Sequence, residues 1–307
     1  MKLSIVTTMY YSAPYLEEFY ARICACAEKI TNEYEIIFVN DGSPDNSLEV
    51  AVSLHKKDQK VRVIDLSRNF GHHKAIMTGL AHAKGDLVFL IDSDLEEEPE
   101  LLEKFHDEME AGNDIDVVYG VQKARKGSVY ERFFGELFYK FINFLSNWEV
   151  PINVSTIRLM KNNYVKNLIK HMDNEIFLIG LWVLTGFKQK PVVITKHWKK
   201  RTTYTLTKKI SNFVNAITSF SSKPLVYIFY AGSTILLLST SYVLYLLYKG
   251  LFLNIPVPGY TSLIISIWFL GGLTIFSIGI VGIYISIIFS ETKSRPYTIV
   301  KSIYQRD

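Results

Sequence analysis

Two aspartates separated by one residue, Asp92 and Asp94, are the strongest candidates for chemistry in this sequence. They follow an apolar run typical of a β-strand, and paired carboxylates supply the oxygen ligands that hard divalent cations prefer. The pair leaves coordination positions open for nucleotide phosphates, and Glu96 is a candidate further ligand. A D-x-D pattern also occurs by chance, so helix capping is the alternative. The glutamates that follow are interpreted as first-turn carboxylates of a helix near Pro99: Glu97, Glu98 and Glu100.

Two other predicted strand ends carry polar residues that could bind a nucleotide. Asp41 begins a turn with Gly42, where its carboxylate could accept hydrogen bonds from a nucleobase imide or a ribose hydroxyl. An Asx turn is the alternative for that aspartate. Arg68 and Asn69 follow the third strand. Because neither G-x-x-x-x-G-K-[ST] nor G-x-G-x-x-G occurs, the nucleotide would be bound without a P-loop or a dinucleotide fingerprint.

The elements that must position these residues alternate between strand and helix in the first 120 residues. This alternation predicts an α/β fold with a mostly parallel sheet, whose ligands bind outside the carboxyl ends of the strands. The predicted strands are Lys2 to Met9, Glu35 to Asn40, Val61 to Leu66, Asp86 to Ile91 and Asp116 to Gly120. The predicted helices are Pro14 to Lys29, Asn46 to His55 and His72 to Ala83.

Two long apolar stretches, Pro224 to Tyr248 and Thr261 to Phe289, predict a helical hairpin in a membrane. Each is long enough to cross a hydrocarbon core, which needs about 20 helical residues. A buried pair of helices in a soluble protein is the alternative. Lysines and arginines flank both stretches, whereas the connector carries only Lys249, so we expect both termini and the catalytic domain on the cytoplasmic side.

The chain has 307 residues, 49% of them hydrophobic, and a formal net charge of +4, which excludes a disordered or low-complexity protein. Asp and Glu are absent from Ile176 to Ser290, so any catalytic carboxylate of the soluble part lies at or before Glu175.

The basic stretch Lys188 to Lys209 is interpreted as a surface for anionic headgroups or an anionic substrate, with a solvated face as the alternative. Tyr130 to Asn147 and Ile210 to Ser222 are candidate interfacial helices, although Tyr130 to Asn147 could equally pack on the sheet.

Several segments together resemble the polyprenyl-phosphate group of family 2 glycosyltransferases, which includes dolichyl-phosphate mannose synthase and the bactoprenol glucosyltransferases. They are EIIFVNDGSPDNS from Glu35, LSRNFGHHKAIMTGL from Leu66, GDLVFLIDSDLEEEPE from Gly85, IRLM from Ile157 and ITSFSSKPL from Ile217. The resemblance implies a GT-A nucleotide-sugar-binding domain that uses Mg²⁺ or Mn²⁺. It also implies inverting transfer of a hexose from a nucleotide-diphosphate sugar, above all a UDP-sugar, to undecaprenyl or another polyprenyl phosphate. The lipid-linked sugar would serve a cell-surface glycan or O-antigen modification at the inner (plasma) membrane.

The resemblance also implies roles for particular residues. Asp41 would contact the nucleoside, Asp92 the ribose or the metal, Asp94 the metal, and Glu96 the metal or its neighbour. Arg158 matches the arginine of the F-R-L-M motif near the sugar and acceptor. The remaining donor-site positions are Thr8, Tyr10, Arg68, Asn69 and Ser93.

The sequence departs from the family's pattern at three places. Its Pro-x-Tyr-Asn-Glu is replaced by Thr8 to Ser12, and the aspartate that often precedes F-R-L-M is Thr156. The R-x-x-G-x-S-K-Y acceptor segment is reduced to His197 to Tyr204, in which we take Arg201, with Lys200 behind it, as the clamp for the lipid phosphate. The dianionic acceptor needs little general base, because the second pKa of a phosphate monoester is about 6.

The predicted domains are a catalytic core (1–130), an acceptor-side segment (131–222), two transmembrane helices (223–290) and a cytoplasmic tail (291–307). A processive polysaccharide synthase should show a Q-x-x-R-W motif and more spans, which this chain does not have. A non-catalytic nucleotide-sugar sensor that serves as a membrane scaffold or flippase component is the remaining alternative. No nucleic-acid partner is expected, and a homo-oligomer is left open.

Overall fold

The computed structural model describes residues 1–112, 114–122, 153–171, 178–196, 223–252, 259–293 and 295–305. Its strands are β1 (Leu3–Met9), β2 (Tyr34–Asn40), β3 (Val61–Leu66), β4 (Leu87–Leu90), β5 (Val117–Gln122), β6 (Val154–Lys161), β7 (Gln189–Ile194) and β8 (Val300–Tyr304). Its helices are α1 (Leu16–Ile30), α2 (Ser47–Lys57), α3 (His72–Ala81), α4 (Leu101–Glu110), α5 (Asn162–Leu168), α6 (Leu178–Leu184), α7 (Lys223–Phe252) and α8 (Tyr260–Thr292).

The described strands form one sheet in the order β7-β5-β6-β4-β1-β2-β3-β8. Strands β1 to β4 run parallel to their neighbours within this group, β7 is parallel to β5, and β6 and β8 are antiparallel to theirs. Every residue of β1, β2 and β4 is buried, as continuous apolar strands covered on both faces must be. The predicted α/β class with a mostly parallel sheet is therefore confirmed.

Helices cover both faces of this sheet. One core lies between the sheet and α1, α2 and α4, and contains Phe19, Phe38 and Phe105. The other lies under α3, α5 and α6, and contains Ile76, Tyr164 and Trp182. Because both faces are filled, the carboxyl edge of the parallel strands is where a ligand can reach polar side chains.

Strand β8 comes from the chain after α8 and extends the sheet beside β3. It pairs antiparallel with β3, with Val63 opposite Tyr304, and the backbone N–H of Ser67 donates to the carbonyl oxygen of Ile299 at 2.9 Å. Lys301 Nζ lies 3.6 Å from the buried carboxylate of Asp65. No strand was predicted for this segment from the sequence, and the structure shows that the chain returns to the sheet after α8.

Helices α7 and α8 match the two apolar stretches in position. Within the described residues, Ser266–Thr292 of α8 is long and apolar enough to cross a membrane, with a mean hydropathy of 2.2 and no buried part. Both predicted interfacial segments, Tyr130 to Asn147 and Ile210 to Ser222, lie outside the described residues, as do Lys200 and Arg201.

Candidate active site

The carboxyl ends of β1, β2 and β4 bring Thr8, Asp41 and Asp92 to one edge of the sheet. Thr8 is paired in register with Val39, two residues before Asp41. The Oγ1 atom of Thr8 lies 3.1 Å from Nδ1 of His72, the first residue of α3, and Nε2 of His72 lies 3.5 Å from Oδ1 of Asp92. The imidazole therefore bridges the ends of β1 and β4, a contact that the sequence analysis did not foresee.

The carboxylate of Asp41 is buried and binds the loop that follows β3. Its two oxygens accept hydrogen bonds from the backbone N–H groups of Phe70 at 2.7 Å and Gly71 at 3.0 Å. Burial raises the pKa of Asp41, and the two backbone hydrogen bonds partly offset that effect. Asp41 thus holds the Arg68–Asn69 loop against the end of β2, and its predicted contact with a nucleoside stays a prediction.

Gly42 is the residue that lets these two loops approach each other. Its φ is +59°, and a Cβ atom built on it would lie 2.5 Å from the backbone nitrogen of Asn69 and 2.6 Å from the carbonyl carbon of Arg68. Glycine avoids both the left-handed strain and the overlap with the neighbouring backbone.

Gly42→Ala is expected to destabilise the α/β domain, because both loops must move apart. We expect a loss of roughly 3 kcal/mol in the free energy of unfolding, from left-handed strain and overpacking together. Gly186→Ala is the matched control, since Gly186 also has a positive φ, of +74°, but has nothing within 4 Å of its Cβ position. Thermal unfolding of both variants tests this, and equal losses of stability in the two would contradict the close approach of the loops at Gly42.

In the D-x-D loop after β4, Ser93 forms hydrogen bonds within the protein, and the two aspartates remain the candidates for chemistry. The Ser93 hydroxyl is buried and donates to the carbonyl oxygen of Thr8 at 2.8 Å, so this side chain is bonded within the protein. Asp94 Oδ1 accepts the backbone N–H of Glu96 at 3.0 Å, and Leu95 between them has a φ of +60°. This tight turn places Asp92, Asp94 and Glu96 on one loop at the sheet edge.

Asp92 offers a buried carboxylate oxygen that suits a cation. Its Oδ1 has no hydrogen-bond partner, although Nε2 of His72 lies 3.5 Å away, and the side chain of Thr156 acts to lower the pKa of the carboxylate. Burial, followed by the nearby charge of Asp94, raises the pKa of Asp92 well above its ordinary value. A divalent cation would remove that penalty by supplying the missing charge and partner.

The residues present fit a cation that is shared with a substrate. Among the described residues, no three His, Cys, Asp or Glu side chains converge as a complete metal cage. Mg²⁺ and Mn²⁺ sites of nucleotide enzymes need no such cage, because one or two carboxylates hold the ion and phosphates and waters complete its shell. Asp92 and Asp94, with Glu96 beside them, provide this partial shell of oxygen ligands.

Glu97 is fully buried and was wrongly interpreted as a first-turn helix carboxylate. Helix α4 begins only at Leu101, and Glu97 instead accepts a hydrogen bond from Ser155 of β6. Lys196, after β7, lies 3.5 Å from Glu97 Oε1 and 3.1 Å from Glu96 Oε2. Burial opposes the charge of Lys196, but attraction by Glu97 and Asp92 raises its pKa. A run of acidic residues in the sequence carries no signal that one of them is inside the protein.

Two lysines of the basic stretch that begins at Lys188 form ion pairs with carboxylates. Lys190 Nζ lies 2.6 Å from Glu108 of α4, and Lys196 is held by the two glutamates just described. Carboxylates distant in sequence partly neutralise these two lysines, and the interpretation of the whole stretch as a surface for anionic headgroups or an anionic substrate stays a prediction.

Arg158 is a buried cation of β6 that lies opposite Leu90 of β4. Its guanidinium stacks on the ring of Trp182, 2.9 Å from the centroid, and Nε donates to the carbonyl oxygen of Thr156 at 3.3 Å. No carboxylate of the described residues pairs with it, its Nη1 lacks a hydrogen-bond partner, and burial lowers its pKa to about 9. Such a group is stabilised by an anion.

Two donor-site candidates are more open. Tyr10 is 50% exposed beyond the end of β1, and its ring contacts that of Tyr11 edge-on at 4.9 Å. Arg68 lies over the ring of Phe70, 4.1 Å from its centroid, and donates to the carbonyl oxygen of its neighbour Asn69. These side chains border the same edge as Asp41, which is the arrangement that a nucleotide site requires.

A family profile described as glycosyl transferase family 2 matches residues 4–169, more than half of the chain, including the D-x-D loop and Arg158. The chain belongs to glycosyl transferase family 2. A Mycobacterium tuberculosis protein named as a glycosyltransferase is 52% identical over 307 residues, which cover 100% of this chain and 90% of the relative. A bactoprenol glucosyl transferase of Shigella phage SfX is 32% identical over 304 residues, or 98% of this chain and 99% of that protein.

Solved structures agree on the fold of this glycosyltransferase. Glucosyl-3-phosphoglycerate synthase from Mycobacterium tuberculosis, solved with Mn²⁺, UDP and phosphoglyceric acid, aligns with a TM-score of 0.50 at 18% identity over 71% of this chain and 76% of that chain. At this identity the alignment establishes a GT-A-like fold alone. The family match and this alignment confirm the predictions of a glycosyltransferase and of a GT-A fold. Family 2 and GT-A enzymes commonly use a divalent metal, and the metal of this protein remains to be assigned.

Proposed function

We propose that this glycosyltransferase moves a hexose from a UDP-sugar to a polyprenyl phosphate, with inversion, at the cytoplasmic face of the plasma membrane. One observation carries the proposal: β8 joins the sheet that bears the D-x-D loop directly to the long apolar helix α8. Full-length similarity to a bactoprenol glucosyl transferase supports a lipid phosphate as the acceptor.

In the proposed reaction an acceptor phosphate oxygen forms a bond to the anomeric carbon as the bond from that carbon to the diphosphate breaks. A cation held by Asp94 together with Asp92 or Glu96, when bound, would stabilise the negative charge of the leaving nucleoside diphosphate. Asp41 and its Arg68–Asn69 loop would orient the nucleoside. Arg158, whose Nη1 has no hydrogen-bond partner, would stabilise charge near the transferred sugar.

The chain would divide its work along its length. We assign residues 1–130 to donor binding, 131–222 to the acceptor side, 223–290 to a membrane hairpin of α7 and α8, and 291–307 to a cytoplasmic segment that contains β8. The flanking lysines and arginines support an orientation with both ends of the hairpin in the cytoplasm. A hairpin that brings the catalytic edge to the headgroup level would let a lipid phosphate reach the site.

The decisive experiment is a panel of radiolabelled nucleotide sugars incubated with the purified full chain and undecaprenyl phosphate in detergent micelles. We expect one UDP-hexose to yield an organic-extractable, acid-labile lipid product together with UDP. Asp107→Asn, an exposed aspartate of α4, is the control for nonspecific damage. Donor binding without transfer to any polyprenyl phosphate would instead favour a nucleotide-sugar-sensing scaffold.

Arg201→Lys is expected to raise the apparent KM for polyprenyl phosphate roughly tenfold and to leave that for the nucleotide sugar nearly unchanged. The planar guanidinium can grip a phosphate through two hydrogen bonds, whereas an ammonium cannot reproduce this geometry. Steady-state kinetics with both substrates varied provide the measurement, and Lys190→Arg, on β7, is the control. A defect confined to the nucleotide sugar would place this residue on the donor side.

A further inference from the structure

One lysine and two glutamates connect the D-x-D loop to the end of β7, and the proposed reaction gives the lysine no role. Nζ of Lys196 lies 3.1 Å from Oε2 of Glu96 and 3.5 Å from Oε1 of Glu97. The Glu96 side chain is 21% exposed, whereas that of Glu97 is 0% exposed. The lysine thus stands between an accessible carboxylate and an inaccessible one.

The two glutamates have different freedom to change partners. Glu97 is fixed by the hydroxyl of Ser155 on β6 and is enclosed by protein. Glu96 lies on the same loop as Asp94, whose Oδ1 accepts its backbone N–H. We take Glu96 as the second ligand of a cation held by Asp94, while Glu97 stays with Lys196.

Charge repulsion prevents the Lys196 ammonium and a divalent cation from both contacting the Glu96 carboxylate closely at the same time. An ammonium group and a divalent ion that share one carboxylate lie only a few ångströms apart, and their repulsion is strong even at an effective dielectric constant of about 20. Attraction to Glu97 gives the lysine a second position close by. The exchange thus requires a movement of its flexible side chain and leaves the strands in place.

We propose that Lys196 is a positioning residue that competes with the divalent cation for Glu96 and is retained by Glu97 alone when that cation binds. The inference rests on the proposed function, because it assigns a response to the proposed cation site. Lys196 directly precedes the basic segment that contains Lys200 and Arg201 in the sequence.

The test is Mn²⁺ binding to the full chain in detergent micelles with saturating UDP, followed through the electron paramagnetic resonance signal of free Mn²⁺. We expect Lys196→Met to bind Mn²⁺ about tenfold more tightly, within the usual range of coupling between two ligands. Lys196→Arg keeps the charge and should stay within about twofold of the wild type on the same argument. Lys190→Met removes a lysine of β7 that is paired with Glu108, and should leave the affinity unchanged.

A double-mutant cycle separates shared ligation from a general field effect. With Glu96→Gln already in place, Lys196→Met should alter Mn²⁺ affinity much less than in the wild-type background. Equal tightening in both backgrounds would mean that the lysine acts only through its long-range field, and would overturn the proposal.

Unchanged or weaker Mn²⁺ binding by Lys196→Met would also overturn the proposal. Lys196→Gln keeps a donor for Glu97 and gives the same test if the Met variant does not fold. If the wild type binds UDP and Mn²⁺ but neither Lys196→Met nor Lys196→Gln binds Mn²⁺ more tightly, only the role of the lysine is contradicted. A wild-type chain that binds neither contradicts the proposed function as well.

Discussion

Asp94→Asn is expected to lower the rate of sugar transfer at least about a hundredfold, the scale of losing a main electrostatic stabiliser. The carboxylate lies on the tight turn after β4, two residues from Asp92, whose buried Oδ1 has no hydrogen-bond partner, and the amide removes the charge while keeping the shape. Initial rates over a Mn²⁺ series provide the measurement. Asp107→Asn on the exposed face of α4 is the matched control and should retain the wild-type rate.

The proposed cation site also predicts how the wild type and Asp94→Asn respond to removal and addition of the cation. Chelation by EDTA should abolish transfer by the wild type, and excess Mg²⁺ or Mn²⁺ should restore it. Excess cation should restore Asp94→Asn only in part, because the substitution removes a ligand. If Asp94→Asn stays fully active in EDTA, this loop does not hold a catalytic cation.

Arg158→Lys is expected to lower kcat roughly a hundredfold while changing the KM for polyprenyl phosphate little. The guanidinium is stacked on Trp182 and bonded to carbonyl oxygens of β6, with Nη1 lacking a partner, so its position is fixed before substrate arrives. A lysine ammonium cannot stack and donate in this geometry. An interaction made mainly in the transition state is lost from kcat.

The control for Arg158→Lys must separate catalysis from folding, because a buried charge is being altered. Thermal unfolding and UDP affinity of the variant should remain close to those of the wild type. Trp182→Phe, which keeps an aromatic surface beneath the cation, should cause a much smaller loss of kcat. A variant that loses UDP binding in proportion to activity would make Arg158 a structural residue of β6.

The sequence predicted the parallel half of the sheet because its strands are continuous apolar runs. EIIFVN and VRVIDL can be buried on both faces only within a covered sheet, and the structure places them in β2 and β3. The polar residues after these strands could therefore be assigned to one edge before any coordinates were known. The alternation of strand and helix can be recognised from short stretches of sequence, without knowledge of distant contacts.

The sequence could not predict contacts that depend on burial and on distant partners. Glu97 stands in an acidic run that looks solvated, yet it is enclosed by β6 and β7. The side chain of Thr156, where the family often has aspartate, lowers the pKa of Asp92, whereas a second carboxylate there would raise it. Strand β8 is short and only half-buried, so its five residues carry no strong periodic signal.

The pairing of β8 with β3 also sets an order for the synthesis and folding of the chain. Val63 and Tyr304 are partners although they lie about 240 positions apart, with both long apolar helices between them. On a ribosome, β3 must wait with an uncovered edge until α7 and α8 have been made, and an uncovered edge is a template for aggregation. Insertion of the helices into a bilayer would then confine the last strand near its partner and lower the entropic cost of this long closure. The sheet is thus finished last, and a chain that stops before β8 would keep an open edge that chaperones and proteases can recognise.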